Sequence, residues 1–251
     1  MVERLYLDYD MSDQQIADIL CVNRKTIQNF RSINSIETTV HNRIPLNHHY
    51  FSNINTEDRA YWLGFMYADG TAYDIKPEIK LSLSRVDRSS LESFKEDIGY
   101  KGEIRDYSGR TSFGPVETSS LCFSSRDMQQ DLFRLGCVSS KTHILGPPPE
   151  SEIPVELHRD FIRGYVDGDG YISSPTQWRT RSIEIVGTYS FLEWVSEVSP
   201  VQAHRIEPHK SIYRIRWSCS RADEIVSWLY GGSTRAMNRK KERATMFGVA
   251  S

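Results

Sequence analysis

The sequence predicts an α+β protein, with two pseudosymmetric αββαββα halves whose antiparallel sheets form a saddle, preceded by a small all-α unit. Three observations carry that prediction. The stretch Trp62-Leu63-Gly64-Phe65-Met66-Tyr67-Ala68-Asp69-Gly70 returns as Ile162-Arg163-Gly164-Tyr165-Val166-Asp167-Gly168-Asp169-Gly170, 100 residues further on. The same succession of helical and strand periods follows each copy. The first 36 residues show helical spacing only. The expected boundaries are residues 1–36 for the helical unit, 37–55 for a linker, and 56–146 and 147–251 for the two halves.

In the first unit, Ser12 is an N-cap with Gln15 three places on, and Ile16, Ala17, Ile19 and Leu20 form an apolar face. After a turn at Cys21-Val22-Asn23, a second helix is expected from Arg24 to about Ser32. Ile27 and Phe30 would face inward, with Arg24, Lys25, Thr26, Gln28 and Asn29 outward. The outline resembles a helix-turn-helix whose second helix enters the major groove, with Cys21 where many such turns hold glycine. The alternative is a helical pair that only packs on its neighbour. Residues 37–55 lose all periodicity in Ser, Thr, Asn and His, with Pro45 among them, and read as linker.

Each half then takes its motif helix followed by strands. Glu78–Ser84 alternates strictly, with Ile79, Leu81 and Leu83 on one face and Lys80 and Ser82 on the other. A helix over 89–98, a strand over 101–107, a strand over 119–125 and a helix over 127–135 complete the first half. Gly146-Pro147-Pro148-Pro149 separates the halves. The second half repeats the order with strands near 171–174 and 182–188, a helix over 191–198, strands near 203–207 and 212–218, and a helix over 222–230. In the last strand Arg214 and Arg216 alternate with Tyr213, Ile215 and Trp217.

The motif itself has a chemical reading. Gly64 and Ala68, like Gly164 and Gly168, stand four apart and so share a helix face that is almost bare backbone. Glycine inside a helix costs about 1 kcal/mol relative to alanine, so that face is expected to admit another backbone, namely the other copy. Helices crossed along these rows would bring Asp69 and Asp169 together at their last turns, with Gly70 and Gly170 as C-caps. Neighbouring carboxylates need a cation or a proton between them, and Mg²⁺ bridges carboxylates to phosphate oxygens. One such helix alone reads as ordinary packing; two point to phosphodiester chemistry.

Over about residues 56–247 the doubled motif resembles the LAGLIDADG homing endonucleases, in their single-chain, two-motif form. The resemblance implies a monomer that lays its sheets in the major groove of double-stranded DNA. It would cut one phosphodiester on each strand with Mg²⁺ or Mn²⁺ and leave short 3′ overhangs, as the product of a mobile genetic element. Carried across, Asp69 and Asp169 would be metal ligands and catalytic centres, and the carbonyls of Ala68 and Gly168 would complete the metal shell. Lys141 and Lys240, which follow the last helix of each half, are candidates to stabilise the transition state, or else surface lysines. Lys80, Ser82, Arg179, Arg181, Arg214 and Arg216 are the expected DNA-facing residues of the sheets. Tyr67 stands where the family commonly has an acid.

Composition narrows the classes. A net charge of −2 over 251 residues hides an uneven distribution, with ten basic against four acidic side chains in residues 201–251. No apolar run suits a membrane span and the first residues start no secretory signal, so an intracellular protein that is not secreted is expected, cytoplasmic if bacterial or phage-encoded. Cys21, Cys122, Cys137 and Cys219 are too scattered to suggest a zinc site or a disulfide framework. Two other functions suit the scaffold: a non-cleaving DNA-binding transcriptional regulator, and an RNA-binding intron maturase. Retention of both aspartates favours the nuclease.

Overall fold

The structure is a computed structural model that describes residues 1–7, 11, 13–34, 36, 44–112, 114–138, 143–173, 180–203 and 205–249. The chain divides into two compact units, Met1–Leu46 and Asn47–Ser251.

The first unit holds α1 (Val2–Leu7), α2 (Asp13–Ile19) and α3 (Arg24–Ile33) around Tyr6, Ile16, Ala17 and Ile27. Asn23 caps α3, its side chain accepting from the N–H of Lys25 at 2.8 Å. Cys21 sits in the turn at φ 51°, the left-handed region that explains why such turns favour glycine. Three findings differ from expectation, the first being that Ile19 of the expected apolar face is 54% exposed. α1 is an added helix, which brings Tyr6 to donate to Asp13 at 2.6 Å. Phe30, expected inside, is 43% exposed, because α3 turns Arg31 toward α2 instead, 3.1 Å from Asp13. Ser12 lies outside the described residues.

The second unit is α+β. Its first half comprises α4 (Glu57–Ala68), β1 (Gly70–Ala72), β2 (Glu78–Ser84), α5 (Arg88–Asp97), β3 (Arg105–Thr111), β4 (Gly114–Ser124) and α6 (Arg126–Arg134). Its second half comprises α7 (His158–Asp169), β5 (Tyr171–Ile172), β6 (Ser182–Gly187), α8 (Tyr189–Val198), β7 (Ile206–His209), β8 (Ile212–Ser218) and α9 (Ser220–Tyr230), followed by α10 (Asn238–Thr245). Each half has a four-stranded antiparallel sheet, ordered β1-β2-β4-β3 and β5-β6-β8-β7, so the repeat read from the sequence is a repeat of topology.

One face of each sheet packs inward, with Ile79, Leu81, Leu83, Leu121 and Phe123 in the first half and Ile183, Ile185, Ile215 and Trp217 in the second. Residues 47–55 differ from the expected linker. Tyr50, Phe51 and Ile54 are buried in the core, where Phe51 meets the ring of Phe94 at 6.4 Å, and their polar neighbours had masked them. β3 was expected four residues earlier, but its residues are nearly all exposed and so leave no alternation to read.

Candidate active site

The most extensive helix contact of the molecule is that between α4 and α7. A Cβ built on Gly64 would overlap the carbonyl oxygen of Phe161, and one on Gly164 would overlap that of Tyr61, so each glycine faces the opposite backbone directly. A Cβ on Gly168 would overlap that of Ala68 and stand 3.1 Å from Asp69 Oδ2. The small residues of the two motifs thus form one reciprocal contact. Gly170 is the C-cap of α7, its N–H donating to the Val166 carbonyl at 2.9 Å, whereas α4 is capped by Asp69, one residue before Gly70; neither glycine takes the left-handed backbone. A Cβ there would instead press on the preceding turn, against Met66 in the first case and 2.7 Å from the Val166 carbonyl in the second.

Asp69 caps the end of α4 and Asp169 is the last residue of α7. Their charges converge on Tyr165, whose hydroxyl is pushed well above its ordinary pKa first by burial, then by Asp169 and Asp69. That hydroxyl donates to the Val186 carbonyl at 2.9 Å. A cavity of about 70 Å³, lined by Ala68, Tyr165, Asp169, Val186 and Gly187 among others, opens beside Asp169. No cluster of three or more His, Cys, Asp or Glu able to hold a metal occurs among the described residues. Two acids and nearby backbone carbonyls are a sparse oxygen set, which is the kind Mg²⁺ accepts while keeping water and phosphate ligands.

Behind the acids the halves differ. Tyr67 donates to the Leu135 carbonyl and packs its ring on Phe161. At the matching place Asp167, fully buried, accepts from Tyr61 at 2.8 Å, from Tyr230 at 2.6 Å and from the Met237 N–H at 2.6 Å, which holds the start of α10. Burial raises its pKa although all three bonds oppose the rise. Lys240, on α10, is buried and donates to the carbonyls of Val166 and Gly170, next to Asp169. Burial lowers its pKa to about 8. Lys141 and Arg179 lie outside the described residues.

A second polar cluster joins the N-terminal ends of the motif helices. Arg163, fully buried, lies 2.7 Å from both Asp160 and Glu57, and Arg235 bonds Asp58 at 3.1 Å and Asp97 at 2.9 Å. Apart from Asp160 and Arg163, which stand three apart on α7, its members come from distant segments of both halves, so no sequence pattern links them.

The polar sheet faces hold four of the six sheet candidates for DNA contact. Lys80 and Ser82 lie there on β2, in register with Cys122 and Ser120. Arg105 and Tyr107 of β3 join the same face through Ser120 and Thr118, and the exposed hairpin gave no signal for them. Arg214 and Arg216 lie on the polar face of the second sheet. Arg181 does not: it shares the parity of the inward Ile183 and bonds Asp223 of α9 at 2.7 Å. In the first unit Arg24, Lys25, Thr26 and Asn29 are exposed on α3 and Gln28 is half-buried.

No family profile matches the chain, and comparison with characterised proteins gives no match. Solved structures do match. The homing endonuclease I-WcaI bound to its DNA recognition sequence superposes with TM-score 0.52 at 10% identity, over 72% of this chain and 83% of that one. The chain is also similar to the I-LtrWI LAGLIDADG homing endonuclease bound to target DNA (TM-score 0.48, 11% identity, 80% and 91% covered). Full-length DUF199/WhiA from Thermatoga maritima matches as well (TM-score 0.48, 14% identity, 83% and 69% covered). The fold of this chain is that of the LAGLIDADG homing endonucleases.

Proposed function

We propose that the protein is a sequence-specific DNA endonuclease that hydrolyses one phosphodiester on each strand and leaves short 3′ overhangs. The observation that carries the reading is the meeting of the two motif ends, where the Asp69 carboxylate lies against Gly168 and both acids act on Tyr165. Two carboxylates so placed form an oxygen set that a divalent cation can join, and an enzyme has a use for that cation.

Asp69 and Asp169, with the carbonyls of Ala68 and Gly168, are the residues to hold Mg²⁺ or Mn²⁺. When bound, the ions supply Lewis acidity to the phosphate and lower the pKa of water. The α4–α7 contact fixes the spacing of the two acids. Lys240 places a positive charge behind Asp169 and braces the carbonyl of Gly170; Lys141 is proposed for the matching place behind Asp69. Both polar sheet faces would lie along duplex DNA, with one chain supplying both acids as a monomer, and α3 of the first unit would add a further contact through Arg24, Lys25, Thr26, Gln28 and Asn29.

Incubation with a pool of duplex targets and Mg²⁺ tests the reading. Double-strand cuts that require metal and vanish in Asp69→Asn/Asp169→Asn are expected. Tight, sequence-selective binding with no cut under Mg²⁺ or Mn²⁺ would overturn cleavage and leave a DNA-binding regulator.

A further inference from the structure

Five charged side chains form an unbroken ladder on the polar face of the second sheet. Arg216 Nε lies 3.3 Å from Glu184 Oε1, and Arg214 Nη1 lies 3.4 Å from Glu184 Oε2. Arg214 Nη2 lies 3.2 Å from Glu207 Oε2, and Arg205 Nε lies 2.6 Å from Glu207 Oε1. Strand register produces this order, since Glu184 stands opposite Arg216 and Glu207 opposite Arg214. Val186, on the same face and opposite Arg214, also lines the cavity beside Asp169.

A surface made only to hold phosphates would be basic throughout, because each acid weakens its attraction for DNA. The polar face of the first sheet comes nearer to that, with Lys80 and Arg105 against the one acid Glu78 among the hydroxyls of Thr71, Ser82, Ser120 and Thr118, and no ion pair joining the described residues of that face. The ladder gives up phosphate attraction for fixed geometry. In Arg216 and Arg205 the glutamate takes Nε; Arg205 presents its two Nη groups as a fork, and in Arg216 the fork is further held by a long 3.4 Å contact of Nη2 with Ser182 Oγ. The Arg216 and Arg205 side chains are 48% and 77% exposed, while Arg214, at 27%, is the inner rung. A fixed guanidinium fork matches the O6 and N7 acceptors of guanine in the major groove. Continuing the β7–β8 register by one residue sets Arg205 beside Arg216, about 5 Å away. That is within about two base-pair steps of roughly 3.4 Å.

Building on the DNA-binding reading above, we propose that the second sheet reads two guanines within two steps of each other, through Arg216 and Arg205, and that Glu184 and Glu207 are the positioning residues that set this specificity. The first sheet serves mainly to hold the duplex.

The test is selection of bound sequences from a randomised duplex pool in EDTA, so that binding is read without cleavage. The wild-type protein enriches guanine at two positions at most two steps apart. Glu184→Gln lowers the preference at one of them about tenfold and binds unselected DNA more tightly; Glu207→Gln does the same at the other. Arg216→Lys loses the preference without the gain in unselected binding. A general loss of folding would weaken binding to every sequence, and only a positional effect supports the ladder. Identical selection profiles for the wild type and both glutamine variants would overturn it. The endonuclease reading, which the Mg²⁺ assay decides separately, would survive that result, whereas a wild-type protein that selects no sequence would overturn both.

Discussion

Gly64 faces the carbonyl oxygen of Phe161 so closely that no side-chain carbon fits between α4 and α7. Alanine is the better helix former by about 1 kcal/mol, so the native glycine reflects the crossing and not the helix. Gly64→Ala and Gly164→Ala are each expected to lower stability by about 2 kcal/mol or more, since the obstacle is rigid backbone and not a movable side chain. The urea unfolding midpoint measures it, and an unchanged or raised midpoint would refute the close crossing.

Gly168→Ala probes the acids rather than the crossing. Its new Cβ would press on Ala68 and approach Asp69 Oδ2. Displacing a metal-holding carboxylate by about 1 Å costs on the order of 100-fold in rate. Cleavage is expected to fall by about that factor while DNA affinity, measured by gel shift, stays within about twofold of the wild type, because the sheets are untouched.

Lys240 makes stability depend on alkaline pH. Burial holds its folded pKa near 8, against the 10.5 of an exposed lysine. Between those values the unfolded chain binds more protons than the folded one, so raising the pH from about 8 toward 10 favours folding. The cost of the buried ammonium is fully present below pH 8 and is relieved as the pH climbs through that window. Urea titrations at pH 7.5 and 9.5 are expected to show the wild type gaining stability relative to Lys240→Met; a gap that does not change with pH would refute the burial.

Cys21 occupies a left-handed turn with a side chain that disfavours it. Cys21→Gly is expected to stabilise the first unit by roughly 0.5–1 kcal/mol, since the relief of about 1–2 kcal/mol is partly offset by the greater freedom of glycine in the unfolded chain. Slower amide exchange across α2 and α3 would register the gain. Faster exchange would mean that the contact of the thiol with the Asp18 carbonyl matters more than the backbone.

Local chemistry made much of the fold legible. Strict alternation marked β2, and β8 matches its expected span at both ends, because one buried and one solvated face leave a period of two in the residue types. The doubled motif marked α4 and α7 and the acids that end them. β3 is solvated on both sides and so has no period. α1 is short, and α10 carries mainly charged and polar residues, its anchors being polar contacts such as the Met237 N–H to Asp167, Lys240 to the end of α7 and Arg239 to Asp87. The linker boundary shifted for a related reason: Tyr50 and Phe51 stand among polar neighbours, and Phe51, against whose ring Tyr50 packs, finds its partner Phe94 in α5, far along the chain.

The sequence by itself determined the repeat, the two polar sheet faces and the pair of acid-tipped helices, since each of these is written in spacing along a few consecutive residues. Tertiary structure alone decided which charges meet. It set Arg181 on Asp223 and away from the polar face, locked Arg163 between Asp160 and Glu57, buried Lys240 against a helix end, and joined three arginines to two glutamates across β6, β8 and β7. Electrostatic energy depends on distance and burial, and neither exists until chain segments far apart in sequence have been brought together.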